Sequence, residues 1–191
     1  MNTRNFPANE YPELSGKRLE LLKELSPAIR RVLVAYDPGD ASPRQGLLVA
    51  RQASAALGAV LVEREARTRT QLLEAIAGSA DVDAYLSIPG GFPTGHYRTI
   101  IRLANARRLP SIFHTRSEST ADALISYGAS DSDAAREAAR LVDRILRGAD
   151  AGRLPVERPA KLQLVINLRT AKQIGVTVPP SLLARAERVI R

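Results

Sequence analysis

"RRVLVAYDPGDASPRQGLLVARQASAALGAVLVER", residues 30–64, sets two short apolar runs on either side of one longer amphipathic stretch. Val32 to Ala35 contains no polar member, so the run has no face for water and reads as a strand covered on both sides. The turn-forming residues of "DPGD" (37–40) end it. Ser42 then offers a capping hydroxyl, Pro43 suits the first helical position, and Gly58 stops the helix expected over 42–57. "AVLVER" (59–64) is the next strand. Strand, helix, strand with continuous apolar strands means parallel pairing.

The same alternation continues in both directions. Upstream, "LSGKRLELLKEL" (14–25) places Leu19, Leu21, Leu22 and Leu25 behind a capping Ser15 and is ended by Pro27. Downstream, helices are expected at "TRTQLLEAIAGS" (68–79) and "GHYRTIIRLANARRL" (95–109), and strands at "DAYLSI" (83–88), "SIFHTR" (111–116) and "DALISYGA" (122–129). "SDSDAAREAARLVDRILRG" (130–148) is a long helix with acids at its start and glycine after its end, as the macrodipole and the left-handed cap favour. In "LQLVINLRTAKQIGVTVPPSLL" (162–183) a strand runs without a loop into a helix and then a proline pair. The fold class is α/β: a doubly wound, mostly parallel, Rossmann-like sheet with helices on both faces.

Composition narrows the function. At 191 residues, 45% hydrophobic and 25% charged, the chain can bury a core. It has no cysteine and two histidines, so neither a metal site nor a cofactor is expected. No apolar run approaches the roughly 20 residues of a membrane helix, and "MNTRNFPANEYPELSG" lacks the apolar region of a secretory signal. The net charge of +8 is spread out. Its densest stripe, Arg136, Arg140, Arg144 and Arg147, is interleaved with Glu137 and Asp143 and reads as a solvated helix face. With 4% aromatics and no base-stacking platform, nucleic acid is not an expected partner.

In such sheets ligands sit beyond the carboxyl ends of the strands, which nominates a rim. It comprises Asp37 to Ser42, Pro89 to His96, Thr115 to Ser117 and Gly128 to Ser130. The solute-binding candidates are Tyr127, Ser42, Asp37, Phe92, Thr94, Arg116, Thr115 and Gly128. Tyr127 ends a strand and can stack or bond a solute, or pack under the next helix. Ser42 can help helix amides hold a carboxylate or simply cap the helix. Arg116 can clamp a carboxylate or pair with Glu118. His114 reads as a hydrogen-bonded core histidine and His96 as a helix cap. "PGGFPTGH" (89–96) fits neither the P-loop nor the dinucleotide pattern and reads as a turn with Phe92 over the cleft. No G-x-S-x-G elbow, cysteine nucleophile or distinctive carboxylate pair points to an enzyme; Asp37 could imitate a phospho-acceptor or a general base, but position alone does not make a base.

"ISYGAS" (125–130), the stretch from "AAREAARLVDRILRG" through "LPVERPAKLQLVINLRTAKQIGVTVPPSLLARAERVI" (134–190), and "ELSGKRLELLKEL" (13–25) resemble the tryptophan/tyrosine-type substrate-binding proteins of ABC transporters, relatives of the periplasmic binding proteins. The resemblance covers roughly 13–191. It implies two α/β lobes that close on a small, amino-acid-like or aromatic solute and deliver it to an ABC permease. It also implies that this chain corresponds to the second lobe, without the first lobe and leader. On that basis the chain divides into a lead segment (1–12), a Rossmann-like lobe (13–154), and a hinge crossover strand with C-terminal helices (155–191). A lone lobe is half a cleft, so weak binding is expected unless a partner supplies the other wall. The tail strand is expected to expose an apolar edge, available for self-association or a second-lobe partner. Ala121 to Ile125 stands where the family usually carries a glycine pair and a methionine, which bears on ligand identity. The resemblance implies the periplasm, whereas the absent signal implies the cytoplasm if the chain is complete as given. The alternative function is a cytoplasmic sensor or interaction module on the same lobe. A third reading, an enzyme acting on a phosphorylated metabolite, rests on "PGGFPTG" alone.

Overall fold

The structure, a computed structural model, describes residues 13–114, 122–129, 131–154 and 162–191. Its strands are β1 (Arg31–Tyr36), β2 (Val60–Glu65), β3 (Ala84–Leu86), β4 (Ser111–Phe113), β5 (Ile125–Ala129), β6 (Leu162–Asn167) and β7 (Arg188–Ile190). Its helices are α1 (Leu14–Leu25), α2 (Pro43–Ala56), α3 (Arg69–Gly78), α4 (Gly91–Gly95), α5 (Tyr97–Ala106), α6 (Asp131–Leu146), α7 (Leu168–Ile174) and α8 (Pro180–Arg185). The strands form one seven-stranded sheet in the order β2-β1-β3-β4-β5-β6-β7. All neighbours are parallel except β5 and β6. This is the mostly parallel α/β sheet expected from the apolar runs.

Burial on both faces explains those runs. Val32 and Val34 face one core with the leucines of α1, Leu47 of α2 and Ile174 of α7. Leu33 and Ala35 face the other, with Leu72 and Ile76 of α3 and Ile100 and Ile101 of α5. Each fully buried leucine contributes about 1.5–3 kcal/mol of apolar transfer, so α1 alone is a large part of the first core. The α1 and α2 backbones come close: a Cβ on Gly46 would meet Ile88 Cγ2 at 2.9 Å and Ser15 Oγ at 3.0 Å.

Several local expectations need correction. Ser15 caps nothing; Glu13 is already helical (φ −57°, ψ −28°), so the helix begins earlier and Ser15 is buried against α2. The segment expected as a turn at 89–96 closes into the short helix α4. The tail strand does not offer an open edge: β6 lies between β5 and β7, with 164–167 buried. The short β7, absent from the sequence-based reading, supplies the pairing that covers it. Asn167 lets β6 pass directly into α7, because its side-chain oxygen accepts from the Thr170 amide at 3.1 Å.

At the carboxyl end of β5 the backbones of two strands nearly touch. A Cβ on Gly128 would lie 1.9 Å from the His114 carbonyl oxygen and 3.0 Å from its carbon. Those are main-chain atoms, so they cannot swing aside. Gly128→Ala is therefore expected to lower stability by about 3 kcal/mol, the upper end for overpacking, as read by urea unfolding.

Candidate functional site

Because β1, β3, β4 and β5 are parallel, their carboxyl ends open on one side of the sheet. The chain passes from β1 outward to β2 and then back past it to β3, so the order reverses at the ends of β1 and β3. The loops at this switch point are tied together by Asp40. Its Oδ2 accepts from the Gly91 amide at 2.7 Å and its Oδ1 from the Ser42 amide at 2.8 Å. These two bonds, Gly91's the stronger, hold the Asp40 carboxyl below its usual range. A Cβ on Gly90 would meet Pro43 Cδ at 3.5 Å and Asp40 Oδ2 at 3.6 Å, so the loops are in close contact.

Asp40 also accounts for the outcome at Ser42. The Ser42 side chain makes no capping bond and the residue is exposed, with helical φ and ψ of −58° and −45°. Asp40, two residues earlier, instead accepts from the Ser42 amide and closes a turn ahead of the helix. Asp37 is half-buried and its Oδ1 accepts from the Gly39 amide at 2.8 Å, closing a tight turn.

Beneath the rim lies His114, 5% exposed. Its Nδ1 shares a hydrogen bond of 3.1 Å with Ser87 Oγ, and Thr94 Oγ1 is 3.5 Å from its Nε2. Burial, aided by the charge of Arg18, pushes the imidazole down to about 3, so it is neutral at ordinary pH. This matches the reading of a hydrogen-bonded core histidine. His96 behaves differently from a cap of the following helix: its Nδ1 donates to the Phe92 carbonyl at 3.0 Å, and the two rings lie 4.5 Å apart. Phe92 is half-buried and packs on the second core.

Tyr127 is half-buried and packs against the first core. Its carbonyl accepts from Nε of Arg18 at 2.8 Å. Gly128 is buried beneath the His114 carbonyl. Thr115 and Arg116 lie outside the described residues. The structure thus brings Asp37, Ser42, Phe92, Thr94, Tyr127 and Gly128 to one end of the sheet, although only some present side chains there.

Arg18, fully buried in α1, was not among the sequence candidates. Its signal was present: positions 14, 18, 21, 22 and 25 share the buried helical face, and one of them is charged. A cavity of about 180 Å³ beside the switch point is lined by Tyr36, Pro38, Asp40, Pro43, Arg44, Leu47 and Arg51. It is smaller than usual ligand pockets of about 300–1,000 Å³. A larger one, about 380 Å³, lies among Leu25, Asp83, Pro110 and Val176, at the opposite ends of the strands. Among the described residues no cluster of His, Cys, Asp and Glu could hold a metal ion, and no helix is long and apolar enough to cross a membrane.

Two titrations follow. Asp40's folded pKa lies below its unfolded value, so its contribution is present above the unfolded pKa and lost as pH falls through the folded one. Asp40→Ala should cost about 1–2 kcal/mol at pH 7, and the gap from wild type should close in acid. His114 is also depressed, but as a base it charges first in the unfolded chain. Stability should therefore fall below pH 6.5 by roughly 1.4 kcal/mol per pH unit towards about 3. Chemical denaturation between pH 6.5 and 5 should show that slope, and His114→Gln should remove it.

Comparison with known proteins sets this geometry in context. No curated protein sequence shows significant similarity to the chain. A conserved domain protein from Vibrio cholerae superposes with a TM-score of 0.82 at 27% identity, over 92% of this chain and 60% of its own. An ABC domain in complex with L-Trp from Streptococcus pneumonia gives 0.81 at 18% identity, over 92% and 62%. A ligand-free, open substrate-binding protein with adhesive properties from Clostridium difficile gives 0.69 at 18%, over 91% and 59%. The chain therefore spans about 60% of the length of these similar structures. Residues 11–190 match the family model described as ABC transporter substrate binding protein, and the chain belongs to that family.

Proposed function

We propose that this chain is a non-catalytic solute-binding lobe that captures a small, amino-acid-like solute at the carboxyl ends of β1, β3, β4 and β5 for an ABC-type importer. The observation that carries this reading is the convergence of four parallel strand ends on one rim in a chain whose family model spans 11–190. Tyr127, half-buried in the middle of β5, supplies an aromatic surface. Asp37, Ser42 and Thr94 supply polar groups, with Phe92 and Gly128 shaping the wall, and Thr115 and Arg116 complete the set from sequence. The L-Trp held by the Streptococcus domain supports an aromatic amino acid as the first solute to try. Delivery to a permease and work outside the cytoplasm follow from the family, and belong to the same proposal.

The Asp40 clasp argues against the phosphate reading of "PGGFPTG". The Gly91 amide that would face an anion already donates to a carboxylate, whose own charge repels a second one. Binding by one wall should be weak, because usual sites bury about 70–90% of a ligand. Titration calorimetry of the chain with L-tryptophan, and with a panel of other amino acids, should give dissociation constants on the order of 0.1 mM or weaker. Tyr127→Ala should weaken the best of them about fivefold or more. Heat from no member of the panel would end this reading.

A further inference from the structure

Spread along the sequence, the excess positive charge is gathered by the fold. α3 and α5 lie side by side on the second core, which takes Leu72 and Ile76 from one and Ile100 and Ile101 from the other. Arg107, at the end of α5, donates to the Ile76 and Ser79 carbonyls at the end of α3 and so ties the pair into one layer. Residues 66–78 and 96–108, which make up this layer and its entry turns, carry six arginines and one acid, Glu74. They hold five of the chain's eight net positive charges. Arg67, Arg69, Arg98, Arg102 and Arg108 are exposed, and none has an ion-pair partner among the described residues. On the opposite face Lys17 pairs with Glu20 at 2.5 Å, Arg51 with Glu63 at 2.7 Å and Arg185 with Glu24 at 2.7 Å.

Three of the arginines stand where a helix disfavours them. Arg69 is the first residue of α3, Arg67 lies just before its cap Thr68, and Arg98 is the second residue of α5. Neither first turn holds an acid. The positive end of each helix dipole therefore adds to the arginines instead of being offset. Both helices start beyond the carboxyl ends of parallel strands, so the two positive ends lie at the same end of the layer. Repulsion of this kind is relieved when an anion faces it.

The rest of the layer selects the anion. The large exposed apolar side chains are Leu48, Val60, Val142, Ile145 and Leu146; none belongs to α3 or α5, so this face lacks the apolar centre of a protein interface. Its other outward positions are small or polar, as at Thr70, Gln71, Ala77 and Ala106. The one aromatic ring of the two helices, Tyr97, is half-buried, with the Arg98 guanidinium 5.4 Å from its centre. Nucleic acid is taken by a charged groove with stacking rings or by an element that enters the duplex, and the described residues of this layer form neither. Separate arginines on the outside of a helix layer match a fluid sheet of headgroups, which rearranges to meet each charge.

We infer that the outer face of α3 and α5 is an adsorption surface for anionic phospholipid, holding the chain on a membrane by charge without insertion. Adsorption needs no solute, so it is tested apart from the proposed site. The 191-residue chain should float with vesicles of about 30% phosphatidylglycerol in phosphatidylcholine at about 50 mM salt, stay off pure phosphatidylcholine, and be released at about 0.5 M salt. At roughly fivefold per arginine, Arg69→Gln, Arg98→Gln and Arg102→Gln together should lower the partition coefficient about a hundredfold. Arg147→Gln, Arg153→Gln and Arg191→Gln remove the same charge from exposed positions elsewhere and should lower it less than about tenfold. The first triple variant should keep its melting temperature within about 3 °C or raise it, because two of its arginines oppose a helix dipole. With no cysteine in the chain, an environment-sensitive dye on Thr70→Cys in α3 should brighten on the same vesicles, and one on Leu48→Cys in α2 should not. The inference is overturned by no binding at low salt, by equal losses in the two triple variants, or by brightening of the α2 dye in place of the α3 dye. Retention by RNA or duplex DNA with none by vesicles would overturn it as well and assign the face to nucleic acid.

Discussion

The structure depends on β1 being buried on both faces. Val32, Leu33, Val34 and Ala35 are each exposed by 1% or less. A strand in that position cannot alternate polar and apolar residues, so it needs a helix layer above and below it. Helices on both faces require crossover connections, and crossovers keep neighbouring strands parallel. Parallel strands then deliver four loops to one end of the sheet, so the candidate rim is a geometric consequence of the burial of β1.

At that rim the loops are held by side-chain bonds to main-chain groups and by close backbone approach. Asp40 joins the loop after β1 to the one after β3, Arg18 holds the Tyr127 carbonyl of β5, and the His114 carbonyl lies against Gly128. Such contacts make one stiff wall with a shallow surface rather than an enclosed pocket. The small cavity beside Asp40 fits that description. Under the solute-binding proposal, a wall of this sort positions part of a solute and leaves the rest to whatever faces it.

Much of this was legible in the residues. The boundaries of α1, α2 and α3 lie within about a residue of those read, through the proline and glycine signals rather than the two serine caps, neither of which forms. The loopless passage from β6 to α7 was also visible, since Asn167 caps locally. The site was less legible. Ser42 had the right type to cap, but Asp40 instead takes Ser42's own amide and the Gly91 amide of the neighbouring loop. Phe92 could be placed near the rim, yet its packing on the second core depends on where α5 settles. The charge at Arg18 interrupts an apolar helical face, a signal open to sequence reading that had no interpretation until Tyr127 was found beside it.

By itself the sequence determined the parallel α/β class, the order of its elements and the end of the sheet where loops gather, because runs of apolar residues and turn chemistry are local properties of a chain. Only the tertiary structure decided that β6 is an inner strand, that Asp40 clasps two loops, and that the arginines of α3 and α5 share one layer. Those outcomes depend on which surfaces meet between segments far apart in sequence, as Asp40 and Gly91 are, and hydrophobicity has no direction until the partner surface is in place.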